Sequence, residues 1–120
     1  MGLQILHTKD KGDLAKEYLA LKALKNLNTS RYVVMDTTFD EEGDVANLGR
    51  HAYKFPAKEI KEGDFVVLYT RAKPNNWPLE KPHDNGTITT HYFYWERGAT
   101  VWNQGGDRCT VMKIVDSKNV

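Results

Sequence analysis

Tyr92-Phe-Tyr-Trp-Glu-Arg-Gly-Ala-Thr-Val-Trp-Asn-Gln-Gly-Gly-Asp-Arg-Cys-Thr-Val-Met-Lys113 is the stretch whose reading decides the fold. It opens on four consecutive aromatic residues, and Trp102 follows soon after. Aromatic and β-branched side chains at this density suit a pleated, half-buried surface. The Asn103–Asp107 cluster interrupts the run with two glycines, which supply the positive φ angles of a tight turn. Val101-Trp102 and Cys109–Lys113 therefore read as strands on either side of that turn. Alternation sends Tyr92 and Tyr94 to one face, and Phe93 and Trp95 to the other.

Working outward, further short strands appear at Leu3–His7, Tyr32–Asp36, Arg50–Phe55 and Phe65–Thr70. The last is nearly continuous in apolar residues and predicts burial on both faces. Turn clusters separate them at Thr8–Asp13, Asn26–Ser30 and Ala57–Asp64. Asp13–Leu27 is ambiguous. Asp13 is a good N-cap, and Leu14, Tyr18, Leu21 and Lys25 follow at helical spacing. The same residues also obey period two, with Glu17, Leu19, Leu21 and Ala23 on one face and Tyr18, Ala20, Lys22 and Leu24 on the other. Residues 71–91 hold three of the four prolines and read as one long loop, with a possible short strand at Thr87–Thr90 after the Asn85-Gly86 turn. About seven short strands with regular turn signals predict an all-β sandwich in a single domain over residues 1–120.

Composition narrows the function. Seventeen basic residues face sixteen acidic ones, for a net charge of +1. That balance argues against binding by phosphate neutralisation alone, while leaving room for a local basic patch. The one cysteine, Cys109, excludes an intramolecular disulfide and a multi-thiolate metal site, and reads as a small core hydrophobe. His7, His51, His83 and His91 lack metal-ligand spacing, so no metal and no cofactor is expected. The acidic run from Asp36 to Asp44 lacks the spacing of a calcium loop. The two serines, Ser30 and Ser117, have no nucleophile-elbow glycines. No catalytic residue is assigned. No secretory leader and no membrane-spanning stretch is read, so a cytoplasmic, non-membrane protein is expected.

Several motifs, taken in order, carry a resemblance. Lys16-Glu-Tyr-Leu-Ala-Leu-Lys22 resembles the early Glu-(Trp/Tyr)-hydrophobic-x-Leu strand of lamin tail domains. Tyr53-Lys-Phe-Pro56 is similar to that family's aromatic-x-Phe-Pro strand end. Glu62-Gly-Asp-Phe-Val-Val67 is similar to the entry of its next strand. Trp95-Glu-Arg-Gly98, Val101–Asp107 and the strand ending near Val115-Asp116 resemble its Trp-Asn and Gly-Asp block. The likeness runs over nearly the whole chain and is weakest at 71–91. Tyr32–Met35 lacks the usual Gly-Trp, Glu62 replaces a Pro, and Thr37–Arg50 is longer than a plain hairpin. The resemblance implies an immunoglobulin-like β-sandwich of about seven to nine strands, and so a strand at Lys16–Leu24. For animal members it implies docking of protein partners and chromatin, and for bacterial ones an accessory module.

The functional expectation is a non-catalytic binding or adaptor module that docks another protein. Its expected surface is an aromatic patch ringed by cations: Arg71, Lys73, Trp77, His91, Trp95 and Arg97. The bland reading of that region is that Trp77, Pro78 and Leu79 fold back over one face of the Tyr92–Trp95 strand. Nucleic acid is an alternative partner for the same patch, because bases stack on aromatics beside cations. An enzyme is a third reading, and oligomerisation through an edge strand is compatible with the first two.

Overall fold

The computed structural model describes residues 2–39, 45–102 and 108–120, without the side chains of 37–39 and 45–50. The loop acids Asp40–Asp44 and the Asn103–Asp107 turn lie outside the described residues. The chain is all-β. Its strands are β1 (Leu3–Lys9), β2 (Tyr18–Ala23), β3 (Leu27–Asn28), β4 (Tyr32–Phe39), β5 (Val45–Lys54), β6 (Glu59–Ile60), β7 (Phe65–Tyr69), β8 (Glu80–His83), β9 (Ile88–Tyr94) and β10 (Arg108–Lys113). A mixed five-stranded sheet runs β1-β2-β7-β9-β8, and a three-stranded sheet runs β10-β4-β5. The short pair β3-β6 forms a third sheet. In the five-stranded sheet only the β7–β9 pair is parallel.

The two larger sheets bury their inner faces against each other. Leu19, Leu21, Ala23, Val66, Leu68 and Phe93 come from one, and Tyr32, Val34 and Val111 from the other. Phe55, at the end of β5, bridges the layers, with its ring centroid 5.0 Å from that of Phe93 in a T-shaped contact. Full burial of side chains such as Leu19, Leu21 and Leu68 contributes about 1.5–3 kcal/mol each.

Residues 13–27 show both local signals in sequence. Asp13 does act as a cap: its Oδ1 accepts from Ala15 N at 3.1 Å, and its carbonyl accepts from Lys16 and Glu17. The turn stops there. From Glu17 onward the period-two face wins, and Glu17, Leu19, Leu21 and Ala23 are all fully buried. β2 gains ladder partners on both sides, β1 and β7, which a short amphipathic helix at this place would forgo.

Three expectations need correction. Residues 71–91 are not one long loop, because Glu80–His83 pairs with Ile88–His91 as a hairpin around a turn at Asp84–Gly86. Pro82 is tolerated there because β8 is an edge strand. Val101-Trp102 is buried but joins no strand, since its amides bond to a carboxylate rather than a ladder partner. Phe65–Tyr69 alternates: Val66 and Leu68 are buried, whereas Phe65, Val67 and Tyr69 are half-buried on the other face.

Candidate functional site

Strand register defines what that other face carries. Lys9 lies opposite Tyr18, Tyr18 opposite Tyr69, and Tyr69 opposite Tyr94. The next outward row runs His7, Ala20, Val67 and Tyr92. A third runs Gln4, Lys22, Phe65, Thr90 and Lys81. With His83 and Ile88 beyond, these outward positions include no Asp or Glu. They carry five aromatic rings and three lysines. The near-neutral net charge thus conceals a local segregation, with the acids at other places in the chain.

The rings are in contact. Tyr69 and Tyr94 stack with planes 9° apart and centroids 5.7 Å apart. Tyr92 stacks on Tyr69 at 6.3 Å, and Tyr18 meets Tyr69 edge-on at 5.4 Å. Trp77, from the segment between β7 and β8, closes over one end at 5.0 Å from Tyr69 and 6.2 Å from Tyr94. The Tyr94 hydroxyl donates to the Pro78 carbonyl at 2.8 Å, and Tyr92 N donates to the Leu79 carbonyl at 2.9 Å. Residues 77–79 therefore do fold back on this face, but they roof only its Tyr69–Tyr94 end. Between roof and tyrosines lies a cavity of 220 Å³ lined by Tyr69, Trp77, Pro78, Tyr92 and Tyr94.

Cations surround the roof. The Arg71 guanidinium sits 5.1 Å from the Trp77 ring centroid, a cation–π contact. A second cavity, of 310 Å³, shares Tyr92 and Tyr94 and is lined also by Lys58, Lys73 and the acid Glu96, with Lys58 paired to Glu80 at 3.1 Å. A third, of 410 Å³, is lined by Leu14, Ala15, Arg71, Ala72 and Arg97. Desolvation, then the neighbouring tyrosines, raises the Tyr69 and Tyr94 phenols above their ordinary value, so both remain neutral hydrogen-bond donors. Glu96, just past β9, takes a φ of 63°, the left-handed turn that carries the chain off the sheet.

The six residues expected to form one patch separate. Arg71, Lys73 and Trp77 lie at the roofed end of the tyrosine face. Arg97 flanks it, its guanidinium carbon 5.9 Å from the Trp95 ring centroid. Trp95 faces inward, packed against Tyr53 and Trp102. His91 is buried, and its Nε2 lies 2.9 Å from Asp64 Oδ2. Asp64 also accepts from Lys61 N and Thr89 N, each at 3.0 Å. Burial would raise the Asp64 carboxyl, but the bonds from His91, Lys61 and Thr89 outweigh it and hold it below its ordinary value. The pair braces the turn before β7 against β9.

Sequence reasoning passed over the tyrosine row and its lysines. Period two assigned Tyr18 and Lys22 to one face, and Tyr92 and Tyr94 to another. Only the register joins those faces.

A second buried carboxylate organises the opposite end of β7, beside the tyrosine row. Glu17 is fully buried, and all four of its lone-pair positions are used. Its Oε1 accepts from Gly12 N at 3.0 Å and Trp102 N at 3.3 Å. Its Oε2 accepts from the Thr70 hydroxyl at 2.5 Å and Val101 N at 3.0 Å. Comparison with protein families, with curated proteins and with solved structures finds no match.

Proposed function

We propose that this chain is a non-catalytic binding module that docks a partner on the outer face of its five-stranded sheet. One observation carries the reading: adjacent strands align Tyr18, Tyr69, Tyr92 and Tyr94 into a contiguous aromatic surface beside Trp77 and Arg71. Tyrosine, tryptophan and arginine concentrate binding energy at interfaces, because large rigid rings bury area at small entropic cost. The resemblance to lamin tail domains supports the same kind of role. The site moves relative to the sequence expectation, keeping Arg71, Lys73 and Trp77 and leaving out His91 and Trp95.

Two of the three buried carboxylates among the described residues support the non-catalytic reading. Asp64 and Glu17 spend their oxygens on backbone amides and neighbouring side chains that hold turns and segment ends in place. The test is retention of partners from cell extract on immobilised wild-type protein and on Tyr69→Ser, Tyr94→Ser and Trp77→Ala variants, with protein and nucleic-acid fractions applied separately. Wild type should retain a component that the variants release. Equal retention by all four proteins refutes this location for the surface.

A further inference from the structure

We infer that the outer face of the five-stranded sheet binds single-stranded nucleic acid, with a base stacking against the exposed surfaces of Trp77, Tyr92 and Tyr94 in the open cavity they line and the phosphates lying along the flanking cations. The inference rests on the docking reading above and names the partner for that surface.

Three observations lead to it. The cavity, at 220 Å³, opens to solvent and is lined by Tyr69, Trp77, Tyr92 and Tyr94 together with Pro78. Such an aromatic-lined surface takes either a planar ring or a cation. A cationic ligand is disfavoured, because Arg71 already stacks on Trp77 and none of the residues lining this cavity is an acid, Glu96 lining the neighbouring one. A planar, anion-bearing ligand meets no such conflict.

The second observation is the placement of charge. Lys9 closes the tyrosine row at the β1 edge, and Lys22 and Lys81 flank the Phe65–Thr90 row. Three inter-strand steps separate Lys9 from Tyr94, about 14 Å, and four residues along β2 separate Tyr18 from Lys22, about 13 Å. A patch of that size accommodates a few nucleotides. A phosphate backbone crossing it meets lysine at the rim and aromatic surface in the middle, the arrangement by which single strands are held.

The third is the polar content of the aromatic surface itself. Tyr18, Tyr69 and Tyr92 bring phenol hydroxyls to the face. Hydroxyls beside a stacked base hydrogen-bond to base edges and sugars without selecting one sequence. A duplex offers its bases only inside grooves, and a flat sheet face enters neither groove as a helix or two-stranded ribbon does.

The experiment is fluorescence anisotropy with labelled oligothymidine and oligouridine of about a dozen nucleotides, and a duplex of the same length, across a salt series. Wild type, Trp77→Ala, Tyr94→Ala and the exposed double variant Lys9→Glu/Lys81→Glu are compared, with Lys113→Glu on the opposite sheet as control. Circular dichroism and thermal melting establish that each is folded. Single strands should bind more tightly than the duplex. Neutralising three phosphates should cost about tenfold or more in affinity between 50 and 200 mM salt. Removing Trp77 should weaken binding about tenfold or more. The double lysine variant should weaken binding and flatten the salt slope, while Lys113→Glu leaves the slope largely unchanged. The DNA and RNA arms then state which single strand is preferred. Absence of binding at low salt, equal affinity for the duplex, or binding indifferent to the Trp77 and lysine variants overturns the inference. If extract proteins are nonetheless retained through Tyr69 and Tyr94, the docking reading stands with a protein partner. If nothing is retained through them, both fall.

Discussion

Replacing Glu17 by Gln tests the central packing argument, because it changes one atom and little volume. The carboxylate accepts four bonds, two at each oxygen. Suppose the remaining oxygen keeps Gly12 N and Trp102 N. The new amide nitrogen then faces Val101 N and the Thr70 hydroxyl. Thr70 can rotate its proton away and accept, but Val101 N–H cannot, and it is buried. An unpaired buried amide costs about 1–3 kcal/mol. The surviving bonds also fall from charge-assisted to neutral strength, about 1 kcal/mol each. Removal of a buried charge returns part of this by relieving its desolvation. The net expectation is a loss of about 2 kcal/mol, against a total stability of about 5–15 kcal/mol for a domain. For a chain of 120 residues this lowers Tm by about 8 °C. Urea unfolding followed by tryptophan fluorescence gives the number, and an unchanged m-value confirms that the same surface is exposed. Thr70→Val in both backgrounds completes a cycle, with a coupling of about 1 kcal/mol expected for groups in direct contact. A loss in Glu17→Gln below about 0.5 kcal/mol, the range of a surface substitution, refutes the reasoning.

Three further outcomes follow from other buried groups. The folded Asp64 carboxyl lies below its unfolded value of 3.8, so the unfolded chain binds more protons as the pH falls. Its contribution to stability is complete above about pH 4–5 and is lost as pH falls through the folded value. Asp64→Asn should therefore remove part of the acid-side slope in a stability–pH profile, and an unchanged slope would count against the bonds drawn to Asp64. Burial, with Asp36 adding to it, pushes the Cys109 thiol up to about 12. A neutral thiol is a poor nucleophile. Labelling by a thiol reagent at pH 8 should be slow in the native protein and fast in urea, and rapid native labelling would contradict this burial. The Tyr32 hydroxyl is buried without a hydrogen-bond partner among the described residues. Tyr32→Phe removes an unsatisfied group at nearly constant shape and should change stability by less than about 1 kcal/mol, neutral or favourable in sign. A clear loss would reveal an acceptor for that hydroxyl.

The fold was legible wherever side-chain period and turn residues agreed. Leu3–His7, Tyr32–Asp36, Phe65–Thr70 and Cys109–Lys113 each lie on or within one residue of an observed strand. Asp13–Leu27 was half legible, because Asp13 caps a single turn that ends at the buried Glu17 and no helix follows. No local rule announces that a glutamate will be drawn inside by amides more than eighty residues away. Val101-Trp102 failed for the same reason, since its strand-like composition reflects burial and its amides answer to Glu17. The hairpin of β8 and β9 was obscured by prolines that an edge strand tolerates. The candidate site was legible in pieces. The Tyr92–Trp95 alternation put Tyr94 with Tyr92 on one face without saying which face is the core, so Trp95 was taken into the patch, and Tyr94's partners Tyr69 and Tyr18 come from strands 25 or more positions away and require the register. His91 was misplaced because cationic residues near aromatics look alike in sequence, whether they ring a patch or brace a buried acid.

The buried clamp and the aromatic face are two sides of one arrangement. Residues alternate across a strand, so the inward Glu17 and Thr70 immediately neighbour the outward Tyr18 and Tyr69. The Thr70 hydroxyl bonds to the Glu17 carboxylate inside the sheet, and Thr70 N donates to the Glu17 carbonyl at 3.3 Å. Outside it, the rings of Tyr18 and Tyr69 meet at 5.4 Å. The clamp thereby fixes the register that aligns the tyrosine row. It also fixes the end of β7, one residue before Arg71 leaves the sheet to carry Trp77 back over the face. A one-residue slip of β2 would turn Tyr18 inward and Glu17 out to solvent, so the row and the clamp form together or not at all. The outer surface is therefore preorganised from within, and the partner proposed above would meet rings whose positions the core has already set.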